Sequence, residues 1–138
     1  MTPKSRILID THILLWYLNG DQKLSLEKRE ILQNIDNDIF VSCMSLWEIS
    51  IKVSLKKLKI DYTISQLEQW IRMMQFTLLP IHPKTLDALK ELPFLHRDPF
   101  DRYLVAEAQT HHFHLYSEDQ QIQRYFENPT DSLPNPNA

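Results

Sequence analysis

A chain of 138 residues, 43% hydrophobic and 24% charged, has the composition of one globular domain. Its single cysteine, Cys43, excludes an internal disulfide, and its single glycine, Gly20, excludes the glycine-rich loops that hold phosphates in nucleotide-binding folds. The net charge of −3 disfavours a protein that holds nucleic acid by overall charge, although bound divalent cations would shift that balance toward zero.

Short apolar runs alternate with amphipathic segments along the chain. We predict strands at residues 6–9, 39–41, 77–81 and 114–116. We predict helices at 11–18, from Ser25 to about 35, from Ser42 or Ser45 to about 58, and at 63–74, 84–91, 98–112 and 119–126. The domain is expected to span residues 1–127. Residues 128–138 contain three prolines and little to bury, which predicts a disordered tail.

Strands that alternate with helices predict an α/β fold. We expect a central parallel sheet of about four to five short strands with helices on both faces. Such folds bind ligands beyond the carboxyl ends of their strands. Asp10 directly follows the first predicted strand, and Asp119 follows the last, where it also fits as the cap of the final helix.

The segment 46–58 is predicted to be a helix buried on most of its circumference. At about 100° per residue, its apolar side chains leave one narrow polar stripe. The stripe contains Glu48, Lys52, Lys56 and Lys59. It is typical of a cleft, but Glu48 and Lys52 are also spaced as an ordinary ion pair on a solvent-facing helix. The sequence alone leaves both interpretations open.

A second acid-bearing helix begins near Asp98. Asp98 followed by proline is a typical helix start, with the aspartate as the cap. Asp101 fits the same capping arrangement, yet it shares a helix side with Leu104, Val105 and Ala108, which is the side expected to face the core. A carboxylate there is costly unless it is paired or bound to a cation. We therefore predict a capping role for Asp98 and a functional one for Asp101.

Four acids lie in separate segments that a parallel sheet would bring to one edge: Asp10, Glu48, Asp101 and Asp119. Two carboxylates about 4 Å apart repel by about 4 kcal/mol at an effective dielectric constant of about 20, so four share a site only with protons or a cation. Oxygen ligands select Mg²⁺ or Mn²⁺, which suits phosphodiester hydrolysis. Five basic residues are candidates to hold a phosphate backbone, unless they are simply solvated: Lys52, Lys56, Arg97, Arg102 and Arg124.

Four segments, in this order and at this spacing, resemble the PIN domain, and specifically the VapC-type toxins of bacterial toxin–antitoxin pairs. The segments are LIDTHILLWYLNGDQKLS, VSCMSLWEISIKVSLKKL, LPFLHRDPFDRYLVAEAQ and LYSEDQQIQRY. The resemblance covers about residues 6–126. It implies a PIN-like fold and a metal-dependent endoribonuclease. Its catalytic, metal-ligating quartet would be Asp10, Glu48, Asp101 and Asp119.

The resemblance also implies the finer features of such a toxin. Asp101 is favoured as the third acid because it precedes the Leu104 helix in the family's register, with Asp98 as the alternative in its place or beside it. Ser117 matches a small hydroxyl residue beside the last acid and joins the basic residues as a weak substrate-binding candidate. The implied cofactor is Mg²⁺, with Mn²⁺ as the alternative. The implied partners are an RNA substrate, a second copy in a homodimer, and a small antitoxin. The antitoxin would prevent the toxin from inhibiting translation, and operator DNA would be bound only through the antitoxin.

Two other functions are weighed against the toxin. A PIN-like scaffold would bind RNA or protein without turnover, although the presence of all four acids disfavours it. An aspartyl-phosphate phosphatase usually needs a second aspartate two residues after the nucleophile, where this chain has His12.

The remaining conspicuous residues are predicted to have structural roles. We expect Trp16, Trp47, Trp70 and Met44 in the core. The histidines at 111, 112 and 114 suit a helix end better than a zinc site. Asp10 interrupts the only N-terminal apolar run, and no stretch is long enough to cross a membrane, so we expect a cytoplasmic protein.

Overall fold

The computed structural model describes residues 5–127, in which four strands alternate with seven helices. The strands are β1 (Arg6–Ile9), β2 (Asp38–Ser42), β3 (Thr77–Leu79) and β4 (His114–Tyr116). The helices are α1 (Thr11–Asn19), α2 (Leu26–Gln33), α3 (Cys43–Ser54), α4 (Ile64–Met73), α5 (Pro83–Lys90), α6 (Pro99–His111) and α7 (Gln120–Glu127). The predicted tail at 128–138 lies outside the described residues.

The four strands form one parallel sheet in the order β3-β2-β1-β4. Central strand β1 is buried on both faces, since Ile7 and Ile9 belong to one hydrophobic cluster and Leu8 to another. This alternation explains why the strand is apolar throughout, as expected of a parallel sheet covered by helices. The predicted α/β fold with helices on both faces is confirmed.

The order in which strands are added to the sheet reverses at β1. The chain continues from β1 to β2 on one side, while β4 adds on the other side, so the strand order reverses between β1 and β4. The ends of these two strands are in register, with Ile9 opposite Tyr116, and the Asp10 amide donates to the Tyr116 carbonyl at 3.1 Å. Ligands of open α/β sheets bind in the crevice at such a reversal. The fold therefore presents Asp10 and the residues after β4 at one crevice.

Helix α3 is shorter than predicted. Ser42, rather than Ser45, caps it by accepting from the Met44 amide at 3.1 Å, so the helix begins directly after β2. It ends at Ser54 instead of near residue 58, because Lys56 adopts a left-handed conformation with φ of 59°. Lys56 consequently leaves the polar stripe on which the sequence placed it.

The tryptophan prediction is wrong at two positions. Trp47 is 55% exposed and Trp70 is 37% exposed, whereas Met44 is buried and Trp16 is half-buried. Trp47 packs edge-on against Phe100, with ring centroids 5.9 Å apart, instead of being buried in the core. Helical periodicity does not predict such a contact. Among the residues that the structure describes, no helix combines the length and apolar character needed to span a bilayer.

Candidate active site

Asp10 is a buried acid at the carboxyl end of β1. Its side chain is the N-cap of α1, where Oδ1 accepts from the Ile13 amide at 2.8 Å, and the residue is only 3% exposed. Burial raises the pKa of Asp10, and hydrogen bonds from the Ser117 hydroxyl and the Ile13 amide oppose the rise. The Glu48 charge raises that pKa further. Asp10 therefore lies near both Ser117 and Glu48.

Ser117 links the ends of β1 and β4. Its hydroxyl lies close enough to the Asp10 carboxylate to lower the pKa of that acid, and its Oγ accepts from the Asp119 amide at 3.0 Å. The buried hydroxyl thus connects two of the predicted acids, one through its side chain and one through its backbone.

Glu48 reaches the crevice from the second turn of α3. It is 2% exposed, and both of its carboxylate oxygens have partners. Oε1 accepts from the Thr11 hydroxyl at 2.6 Å, and Oε2 accepts from Lys52 Nζ at 2.7 Å. Burial alone would lower the pKa of Lys52, but the hydrogen bond and charge of Glu48 outweigh it and raise that pKa. Glu48 and Lys52 therefore form an ion pair, but its acid is buried and does not lie on a solvent-facing surface.

Asp101 joins the site from the first turn of α6. Its Oδ2 lies 2.9 Å from His96 Nε2, which is in turn 3.7 Å from Oδ2 of Asp119. Burial raises the pKa of Asp101 to about 7, and the negative charges of Asp98, Glu48 and Asp119 add to the rise, while His96 opposes it. Asp101 is therefore a buried acid whose pKa is raised further by the charges of three neighbouring acids.

Asp119 has both roles that the sequence offered. Its Oδ1 caps α7 by accepting from the Gln121 amide at 2.7 Å and the Ile122 amide at 3.2 Å. Its Oδ2 faces His96. One oxygen therefore caps α7 while the other faces His96 at the acidic cluster.

Asp98 caps α6, as predicted. Its Oδ1 accepts from the Phe100 amide at 2.8 Å and the Asp101 amide at 3.2 Å. The side chain lies near the cluster, because its charge raises the pKa of Asp101. Its contacts favour a structural role, and they leave Asp101 as the better candidate for the third acid.

A variant at Asp98 should separate these two roles. Asp98→Ala is expected to lower the free energy of unfolding by about 1 kcal/mol, and Asp98→Ser is expected to retain the cap and most of that stability. Both should bind Mn²⁺ far more tightly than Asp101→Asn, as titration calorimetry would measure. If Asp98→Ser loses as much affinity as Asp101→Asn, Asp98 is a metal ligand.

The basic candidates are placed differently from one another. Lys52 lies in the site, whereas Lys56, Arg97 and Arg124 are exposed. Arg102 is 7% exposed, and its guanidinium donates to the Leu89, Leu92 and Pro93 carbonyls and to the Tyr125 hydroxyl. This placement argues against the predicted phosphate contact of Arg102, because its donors already hold the loop before α6.

Sequence reasoning missed three residues. His96 and Thr11 contact Asp101 and Glu48 directly, and neither has a periodic signal, since His96 lies in a loop and Thr11 begins a helix. Their only signal is that each lies within a few residues of a predicted acid.

The third residue that sequence reasoning missed is Glu107, which is fully buried on α6. Neither of its carboxylate oxygens has a hydrogen-bond partner within residues 5–127. Burial raises the pKa of Glu107 to about 7, and the nearby Ser42 hydroxyl opposes the shift.

The donor chemistry of the cluster fits a divalent cation. Ligand atoms of His96, Asp101 and Asp119 lie within 4.8 Å of one another, and this is the one such group of three or more within residues 5–127. The charges of Asp98, Glu48 and Asp119 add to the raised pKa of Asp101, and a cation would relieve this repulsion. The histidines at 111, 112 and 114 form no such group in the described chain. The residues present therefore suit a metal held mainly by oxygen.

Comparison with known proteins identifies the family and the fold. The family model of the PIN domain matches residues 7–127. A similar solved structure is described as "Structure of FitAB bound to IR36 DNA fragment"; it shares 16% identity, with 86% of this chain and 89% of that chain covered and a TM-score of 0.52, which shows a common fold. A search of curated proteins finds no significant match. The chain belongs to the PIN domain family, whose members are generally nucleases that use divalent metals.

Proposed function

We propose that this protein is a metal-dependent endoribonuclease of the VapC type, the toxin of a toxin–antitoxin pair. The supporting observation is that acids from four segments converge at the carboxyl edge of a PIN-domain sheet. The proposed catalytic and metal-ligating residues are Asp10, Glu48, Asp101 and Asp119. The reaction is hydrolysis of RNA phosphodiester bonds, which would inhibit translation until the antitoxin binds.

The proposed cofactor is Mg²⁺, with Mn²⁺ as the alternative. When bound, such an ion supplies Lewis acidity toward a phosphoryl oxygen and lowers the pKa of a coordinated water. The chain's own part is to hold the acids in place. Thr11 and Lys52 orient the two oxygens of Glu48, and Ser117 orients Asp10.

The surface beside the acids supports an RNA substrate. Lys52 lies beside Glu48, and exposed Arg97 is in the loop before α6, which supports phosphate contacts by both residues. Trp47 and Phe100 form an edge-to-face pair, and each directly precedes one of the acids in the chain. Partly exposed aromatic rings accept stacked, unpaired bases. These features favour a single-stranded region of RNA at the site.

A groove beside the site supports a protein partner. It has a volume of about 650 Å³. Its lining combines apolar and polar side chains from α1, from the turn that follows α1 and from the segment after α3: His12, Leu15, Trp16, Asn19, Asp21, Leu58, Lys59, Ile60, Asp61 and Tyr62. The similar solved structure is of FitAB bound to a DNA fragment. We therefore infer that the partner is a small DNA-binding antitoxin, and that operator DNA is bound only through it.

Three further parts of the proposal do not depend on the site. The VapC subtype and a homodimer depend on the family resemblance alone, and a cytoplasmic location depends on the N-terminal apolar run that Asp10 interrupts. Each is open to direct measurement, the dimer most simply by light scattering of the purified protein.

One observation favours the second candidate, a scaffold that binds RNA or protein without turnover. Lys52 already neutralises Glu48 through a direct ion pair, in which the Glu48 side chain is only 3% exposed. A site in which this pair persisted would have one fewer free carboxylate for a cation. The scaffold would then bind RNA while binding metal weakly.

The deciding experiment uses purified protein and a labelled single-stranded RNA. Cleavage within the RNA is expected with millimolar Mg²⁺ or Mn²⁺, and none with a chelator or with DNA of the same sequence. RNA binding without cleavage, at saturating metal, would favour the scaffold and overturn the nuclease. Turnover of small phosphomonoesters without RNA cleavage would instead favour phosphatase chemistry.

A further inference from the structure

His96 is close enough to the acids to be taken for a metal ligand. Its imidazole is 16% exposed, and Nε2 lies 2.9 Å from Asp101 Oδ2 and 3.7 Å from Asp119 Oδ2. At these distances Nε2 has two alternative roles. It is either a nitrogen ligand of the ion or a hydrogen-bond donor to the carboxylate that binds it.

The other ring nitrogen distinguishes the two roles. Nδ1 of His96 accepts a hydrogen bond from the Asp98 amide at 3.3 Å. A histidine that binds metal through Nε2 normally carries its proton on Nδ1 and donates it to an acceptor. Here a donor faces Nδ1, so a proton on Nδ1 would point at another N–H. The contacts of the ring therefore place the proton on Nε2, where it is directed at Asp101.

The imidazole is also held by a well-anchored loop. The amides of Leu95 and His96 both donate to the Tyr125 hydroxyl at 3.2 Å, and that hydroxyl donates to the Pro93 carbonyl at 2.8 Å. Asp98, whose amide faces the ring, is itself the cap of α6. The start of α6 and the loop before it therefore fix the orientation of the ring relative to Asp101.

We propose that His96 is a positioning residue: its Nε2–H donates to Asp101 and orients that carboxylate, and His96 is not a ligand of the metal. The inference rests on the proposed metal site. By occupying Oδ2, the imidazole leaves the other oxygen of Asp101 available to a cation. The metal would then be held by oxygens alone, and the choice among ions would follow that oxygen set.

The first test is the tautomer of His96, which needs neither RNA nor activity. Long-range ¹⁵N–¹H NMR of ¹⁵N-histidine protein at mildly alkaline pH should show the Nε2–H tautomer for His96, both without metal and with saturating Mg²⁺. His96→Gln identifies the signal. A change to the Nδ1–H tautomer when Mg²⁺ binds would show that Nε2 becomes a ligand, and would overturn the proposal.

The second test compares two variants by Mn²⁺ titration. Glutamine places an amide donor near the position of Nε2, whereas leucine does not. We expect His96→Gln to retain the wild-type affinity within a few fold, and His96→Leu to lose about 10- to 100-fold, as for other residues that orient metal ligands. His114→Leu, at an exposed histidine on β4, is the matched control and should not change the affinity.

Electron paramagnetic resonance of the bound Mn²⁺ completes the comparison. Spin-echo modulation from a directly bound ¹⁴N is expected to be absent in the wild type. A strong ¹⁴N coupling that both His96 variants abolish, or an affinity that His96→Leu leaves unchanged, would each overturn the assignment. If RNA is not cleaved but the tautomer and Mn²⁺ results hold, the proposed nuclease fails and the role of His96 stands.

Discussion

Asp10→Asn is expected to lower RNA cleavage by about 100-fold or more while the metal-free protein remains at least as stable as the wild type. Loss of a residue that only orients a metal ligand already costs about 10- to 100-fold, so loss of a proposed ligand should cost no less. Stability should not fall, because asparagine keeps an oxygen that accepts from the Ile13 amide. The substitution also removes a buried carboxyl group. Because burial raises the pKa of that group, its ionised form makes the folded state less stable.

The two halves of this result need separate measurements. Cleavage is followed on a labelled RNA at saturating Mg²⁺, and the free energy of unfolding by urea denaturation in a chelator. Asp36→Asn is the matched control, because it removes one exposed aspartate near the amino end of β2, at the opposite edge of the sheet. Full activity of Asp10→Asn would exclude Asp10 from the reaction, whereas an unfolded variant would show that the acid has a mainly structural role.

The stability of the metal-free protein should decrease as the pH rises toward neutrality. The pKa of Asp101 is raised from 3.8 to about 7 in the folded state, so between about pH 4 and pH 7 the folded chain binds more protons than the unfolded one. The contribution is fully present below the unfolded pKa and is lost as the pH passes through about 7. Urea midpoints measured in a chelator from mildly acidic to mildly alkaline pH should therefore fall less steeply in Asp101→Asn than in the wild type.

Glu107 provides the control for this prediction, because its pKa is also raised to about 7. Glu107→Gln should flatten the pH dependence of the urea midpoint as well. At alkaline pH, saturating Mg²⁺ should raise the stability of the wild-type protein by binding the ionised cluster. We expect the same increase in Glu107→Gln and no such increase in Asp101→Asn. Identical pH slopes in wild type and Asp101→Asn would contradict the raised pKa.

Local patterns were sufficient to predict the positions of the acids along the fold. Asp10 interrupts a buried strand and caps the next helix, and Asp98 before a proline begins α6, so short-range chemistry determines both positions. Periodicity also placed Glu48 apart from the apolar side chains of its helix. It did not predict that Glu48 would be buried and bonded to Thr11, because that contact joins residues 37 positions apart.

The failures have the same physical origin. Arg102 is as basic as any exposed arginine in the sequence, and only the carbonyls of the loop before α6 and the hydroxyl of Tyr125, 23 positions away, make it a buried structural residue. Trp47 is 55% exposed, and its ring packs edge-on against Phe100 from another helix. Each outcome depends on a neighbour far along the chain, and a single sequence contains no local signal for such a neighbour.

The sequence by itself determined the alternation of strands and helices, the caps that begin the helices, and which acids follow the strands. These features follow from side-chain periodicity and from hydrogen bonds between residues only a few positions apart. The tertiary structure alone decided that His96 lies 2.9 Å from Asp101, that Lys52 neutralises a buried Glu48, and that the pKa values of Asp101 and Glu107 are raised to about 7. Those properties arise from burial and from charges brought together across the sheet edge, and both depend on distances that exist only once the chain has folded.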